Sequence, residues 1–156
     1  MQIKKEMTGQ QAFSKLAALC AKSEHCQWDM LQKMRQWGVS DEEQASVMQR
    51  LVSGRYVDDA RYARAFCADK LHYNKWGRRK IEQALRMKHI DESITYDVLN
   101  EIDDEEYVAI LRPLLRQKER SMKAKSDYER RMKLIQFAQS RGFTFDIIAQ
   151  CVESEE

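Results

Sequence analysis

The side chains that could carry chemistry are few and scattered. Three histidines (His25, His72, His89) and four cysteines (Cys20, Cys26, Cys67, Cys151) are spread along 156 residues. A zinc loop needs C-x₂₋₄-C or H-x₃₋₅-H spacing, so that one tight turn presents two ligands tetrahedrally. Neither spacing occurs, and no G-x-S-x-G, H-E-x-x-H, Walker or G-x-G-x-x-G motif is found. The paired acids Asp58-Asp59 and Asp103-Asp104 fall at helix starts, where capping explains them. The expectation is a non-enzyme with no catalytic residue, no metal and no cofactor, its thiols reduced and mostly buried.

What stands out instead is charge. The formal net charge is only +2, yet its distribution is segregated. Residues 70–90 carry Lys70, Lys75, Arg78, Arg79, Lys80, Arg86 and Lys88 against Glu82 alone. Residues 91–107 carry Asp91, Glu92, Asp97, Glu101, Asp103, Asp104, Glu105 and Glu106 with no base. Residues 108–133 are basic again. Blocks of one sign point to a polyanion or a patterned protein partner. The sequence Lys75-Trp76-Gly77-Arg78-Arg79-Lys80 is the sharpest case. It sets four positive charges and an indole at a helix start, where they oppose the macrodipole. Lys118, Arg120, Lys123 and Lys125 read as a second basic patch, on a polar connector between helices.

The elements that hold these residues are helical. Spacings of three and four dominate, as in Phe13, Leu16, Ala17 and Cys20, and no sustained alternation marks a strand. Thr8 with Gln11 and Ser40 with Glu43 have the capping-box pattern. Asp58 fills an N-cap, with Val57 and Tyr62 at staple positions. Pro113 falls inside an apolar stripe, so a kink or a late helix start is expected there. Hydrophobic residues make up 43% and mean hydropathy is −0.71. No apolar run approaches the roughly 18 residues of a membrane span, and no secretory h-region opens the chain. A soluble cytoplasmic protein is expected.

An internal repeat organises the helices. Met30–Ser40, Ile81–Asp91 and Leu134–Thr144 align at offsets of 51 and 53 residues. Each has two apolar residues four apart, a turn residue (Gly38, His89, Gly142), an apolar residue and an N-cap. The fold expected is all-α: three tandem three-helix repeats, 1–53, 54–103 and 104–156, in an elongated, curved array.

The second repeat resembles the RecX family of bacterial regulators of RecA recombinase. Tyr56-Val57-Asp58-Asp59-Ala60-Arg61-Tyr62-Ala63-Arg64-Ala65-Phe66 is similar to that family's central signature. Trp76-Gly77, Lys80-Ile81, Leu85 and Lys88-His89-Ile90 resemble the family's pattern immediately downstream of that signature. Lys133, Phe137 and Arg141-Gly142-Phe143 resemble its third-repeat pattern. Arg55 and His89 stand where the family has glycine, Arg78 where it often has proline, and Cys26 where serine is usual. The resemblance implies a monomer that binds the RecA filament on single-stranded DNA and restrains its growth, ATPase and strand exchange, with the DNA itself as a further partner. The alternative is a helical-repeat nucleic-acid-binding protein without a recombinase partner. The residues expected to touch RecA or DNA are Lys75, Trp76, Arg78, Arg79, Lys80, Lys118, Arg120, Lys123 and Lys125. Those expected to hold the structure are Tyr56, Asp58, Asp59, Arg61, Tyr62, Phe66, Gly77, Ile81, Leu85 and Gly142.

Overall fold

A computed structural model describes residues 6–153, and among them there are nine helices and no strand. They are α1 (Gly9–Lys22), α2 (Gln27–Gln36), α3 (Asp41–Ser53), α4 (Asp59–His72), α5 (Arg78–Met87), α6 (Glu92–Asn100), α7 (Asp104–Ser121), α8 (Asp127–Ser140) and α9 (Phe145–Glu153). Packing is local: α1 and α2 lie on α3, α4 and α5 on α6, and α7 and α8 on α9. The accessible surface is 10500 Å². A compact monomer of 18.5 kDa would expose about 8,200 Å². The excess is that of an open array of helices.

The aligned turns are one structure made three times. Gly38, His89 and Gly142 all take positive φ, at 71°, 55° and 93°. In each case the next residue's N–H reaches back to the carbonyl five residues earlier: Val39 to Met34, Ile90 to Leu85, Phe143 to Ala138. This is the Schellman arrangement, which satisfies the orphan carbonyls of a helix end and buries the apolar residue after the turn. Val39, Ile90 and Phe143 are all buried. His89 holds the left-handed conformation without glycine's freedom, and its ring stacks on Trp28 at 5.3 Å. Arg55 also keeps a positive φ, of 59°.

Most helix starts are formed as their residue types require. The Thr8–Gln11 capping box closes in both directions, and Asp58 accepts from the Arg61 N–H at 3.1 Å. Five expectations need correction. Asp103 takes the N-cap position of α7, but its side chain makes no capping hydrogen bond. At Ser40 only half of the box forms: the hydroxyl accepts from the Glu43 N–H, with no return bond from Glu43. Val57 and Tyr62 make no staple, because Val57 turns into one core and Tyr62 into another. Of the two outcomes expected at Pro113, a kink or a late start, the late start does not occur, since α7 starts at Asp104 and runs through the proline. Both Pro113 and Ala109, whose carbonyl loses its partner there, are exposed, so water can satisfy that oxygen. Finally, α7 reaches Ser121, which puts Lys118 and Arg120 in its last turn rather than on a connector. Cations at a helix C-terminus complement the dipole, which favours the longer helix.

Cys26, Cys67 and Cys151 are buried and Cys20 is half-buried. Burial pushes the Cys26 and Cys67 thiols up to about 12. Thiolate is the reactive form, so at pH 8 a soluble thiol reagent should modify Cys20 first. The other three should react only as fast as the protein unfolds. Mass-resolved labelling that found Cys67 modified alongside Cys20 in the folded protein would contradict this packing.

Candidate interaction surface at the start of helix α5

The basic start of α5 is built into a joint between two helical groups. Gly77 is its N-cap and offers no side chain to cap it, and the first turn holds no acid. Two backbone bonds replace the missing cap. The Gly77 N–H donates to the Arg141 carbonyl at 2.8 Å, and the Arg79 N–H donates to the Gly142 carbonyl at 2.9 Å. The carbonyl end of α8 thus faces the N–H end of α5, so the dipoles meet head to tail. That is the local reason why the first-turn side chains are free to be basic.

Both glycines are required by proximity. A Cβ on Gly77 would lie 2.3 Å from the Phe143 nitrogen, and one on Gly142 would lie 2.4 Å from the Lys80 Cβ. Two residues 65 apart in sequence, one at a helix start and the other in a turn, are in fact the two sides of one contact.

Around this contact the cations gather on aromatic faces. Trp76 packs against the core, with the ammonium groups of Lys80 and Lys70 at 4.8 and 5.2 Å from its ring. The Arg141 guanidinium and the Lys118 ammonium each lie 5.3 Å from the Phe137 ring. Arg141 also donates to the Asn74 carbonyl at 3.4 Å. Such contacts are worth about 0.5–1 kcal/mol when exposed and hold the ammonium groups in place. Among the described residues Lys75, Arg78, Arg79, Lys80, Lys118 and Arg141 have no carboxylate within salt-bridge distance. Arg79 is exposed, while Lys75, Arg78 and Lys80 are half-buried. The site is therefore a set of unneutralised cations on a rigid apolar base.

The other named residues divide. Lys118 joins the cluster through Phe137 and Arg141. Arg120, Lys123 and Lys125 are exposed, and the backbones of Lys123 and Lys125 are tied to α8 through Lys133 and Glu129. Ile81 and Leu85 are core, as expected. Tyr62 is buried, with the Phe66 ring beside it at 5.8 Å, so this pair serves the core. Tyr56 meets Phe13 edge-on at 5.5 Å. Arg61 does not pair back to Asp58 or Asp59. Its side chain reaches Glu24 at 2.6 Å, because Asp59 is engaged elsewhere, accepting from the Gln27 N–H at 2.9 Å.

Sequence reasoning missed Lys70, Phe137 and Arg141 as site residues. The i,i+4 spacing of Phe137 and Arg141 was a visible signal, but nothing local tied it to Trp76. It also missed a groove of about 420 Å³ between α5 and α6, with Arg78 and Arg86 on one wall and Glu92, Tyr96 and Asp97 on the other.

Among the described residues no group of three or more His, Cys, Asp or Glu could hold a metal, and no helix is long and apolar enough to cross a membrane. The fold is that of a helical-repeat protein. Two family models match the chain: that of the second three-helix domain of RecX over residues 58–99, and that of the third over residues 104–152. Together they cover more than half of it, and the chain belongs to the RecX family, whose members are regulatory proteins and not enzymes. It is 29% identical to the regulatory protein RecX of Vibrio campbellii over 138 residues, which is 88% of this chain and 87% of that one. With the regulatory protein RecX of Acinetobacter baylyi it shares 27% over 151 residues, 97% and 92% of the two chains. The crystal structure of RecX from Lactobacillus salivarius superposes with a TM-score of 0.88 at 18% identity, covering 94% of this chain and 95% of that one.

Proposed function

We propose that the chain binds the RecA filament on single-stranded DNA and restrains its growth, ATPase and strand exchange, thereby modulating recombination and DNA repair. It acts as a cytoplasmic monomer of three helical units, 1–53, 54–103 and 104–156. The observation that carries the reading is the cation cluster at the α5 start. Among the described residues the Arg79 side chain makes no ion pair and no ring contact, whereas a partner rich in phosphate or carboxylate would supply the missing charge. The rigid joint beneath keeps those cations in one geometry, which lowers the entropy lost on binding.

Steady-state ATP hydrolysis by RecA on single-stranded DNA is the test, titrated with substoichiometric amounts of this protein. The parent should inhibit. Reversal of Arg78, Arg79 and Lys80 to Glu should abolish inhibition, with far-ultraviolet helicity retained. Arg79→Glu alone should weaken it at least tenfold, since this side chain is exposed and supports no packing. Undiminished inhibition by the folded triple variant would move the surface to Arg120, Lys123 and Lys125.

A further inference from the structure

The three helical groups are not joined alike. Between α4–α6 and α7–α9 the core is continuous: Leu71, Ile81, Leu99, Leu111 and Phe143 belong to one cluster, and α4 packs along α7. Between α1–α3 and the rest it is interrupted. Leu16, Met30, Met34, Leu51 and Val57 form a cluster of their own, and among the described residues only Cys26 and Trp28 from the first group reach the larger core.

Beside the Trp28–His89 stack and buried Cys26, what spans the interruption is charged or polar. Arg61 Nε donates to Glu24 Oε1 at 2.6 Å, and Arg61 Nη2 donates to the carbonyls of Arg55 and Tyr56 at 3.1 and 3.3 Å. One guanidinium thus clamps both the first group and the linker. Lys88 Nζ donates to Asp29 Oδ1 at 2.8 Å, and the same ammonium lies 5.4 Å from the Trp28 ring. Burial would raise the Asp29 carboxyl, but bonds from Lys88 and Cys26 outweigh it and hold the group below its ordinary value. The Asp59 carboxylate, from α4, accepts from the first N–H of α2.

We propose that α1–α3 is an arm latched onto a rigid α4–α9 body by the ion pairs Glu24–Arg61 and Asp29–Lys88, and that it pivots about residues 54–58 when they weaken. Neither pair is fully buried: side-chain exposure is 34% and 41% in the first, 16% and 36% in the second. Salt therefore screens them, as it cannot screen the apolar joint on the other side. An anionic ligand competing for Arg61 and Lys88 would act in the same direction. The cleft lined by Trp28, Leu31, Met48, Asp59 and His89 straddles this joint, so its width tracks the position of the arm. This inference does not depend on the identity of the partner.

Small-angle scattering of the intact chain tests it, because the unmodified protein can be read across a salt series. From about 0.1 to about 1 M salt the Debye length falls from about 10 to about 3 Å. The pair-distance distribution should broaden and its maximum dimension lengthen, with far-ultraviolet helicity constant. The Arg61→Gln, Lys88→Gln double variant should be expanded already at low salt and should have lost the salt response. If the parent's distribution is the same at both salt concentrations, the latch does not exist. A double variant as contracted and as helical as the parent would overturn it equally.

Discussion

Gly77→Ala should cost about 3 kcal/mol or more and separate the second helical group from the third. The backbone at Gly77 is ordinary, with φ −86° and ψ 176°, so alanine meets no conformational strain. The cost is steric. Its Cβ would sit 2.3 Å from the nitrogen and 2.4 Å from the Cα of Phe143, and 2.5 Å from the carbonyl carbon of Gly142. These are backbone atoms and cannot rotate away, so the joint itself must open. Overpacking a tight contact costs about 1–3 kcal/mol. Opening the joint also loses the two backbone hydrogen bonds, each worth about 1 kcal/mol. For a chain of this size the midpoint of thermal unfolding should fall on the order of 10 °C. Urea unfolding measures it, and a change below about 0.5 kcal/mol would show that the two turns do not approach this closely. The proposed inhibition of RecA should fall with it, because Trp76 and Lys80 lose the base that positions them.

Leu85→Ala should remove about 2–5 kcal/mol by leaving a cavity among fully buried neighbours. Leu85 has no accessible surface, and its cluster runs from Tyr62 through Leu111 to Cys151. Because that cluster is shared, the loss should be felt throughout α4–α9. Amide exchange should accelerate together in α4–α6 and α7–α9, while protected amides of α1–α3, which have their own core, keep their rates. Acceleration confined to α4–α6 would mean that the two groups fold as separate units.

Much of the architecture was legible from spacing. Met30 and Met34, Ile81 and Leu85, Leu134 and Ala138 line the inner faces of helices because residues three and four apart share a helix face. Gly38 and Gly142 mark helix ends because only glycine takes a positive φ without cost. His89 could be placed in the same role only by alignment with them. The charge blocks were equally plain, since a count of side chains needs no coordinates.

What the sequence determined by itself is therefore local: the helices, the three Schellman turns, the caps at Thr8 and Asp58 and the segregation of charge. Each depends on interactions within a few residues, and residue type and spacing encode those directly. Tertiary structure alone decided how the groups join. Arg61 stands two and three residues from Asp59 and Asp58, yet its side chain reaches Glu24 across the first joint while Asp59 caps α2. Gly77 looked like part of a helix start and Gly142 like a turn after another helix, yet they face each other so that the carbonyl end of α8 can cap α5. Repetition predicts equal joints, but one has a continuous core while the other is interrupted and crossed by two ion pairs. Which side chain finds which partner across a joint depends on the angle between packed groups, and no spacing along the chain carries that angle.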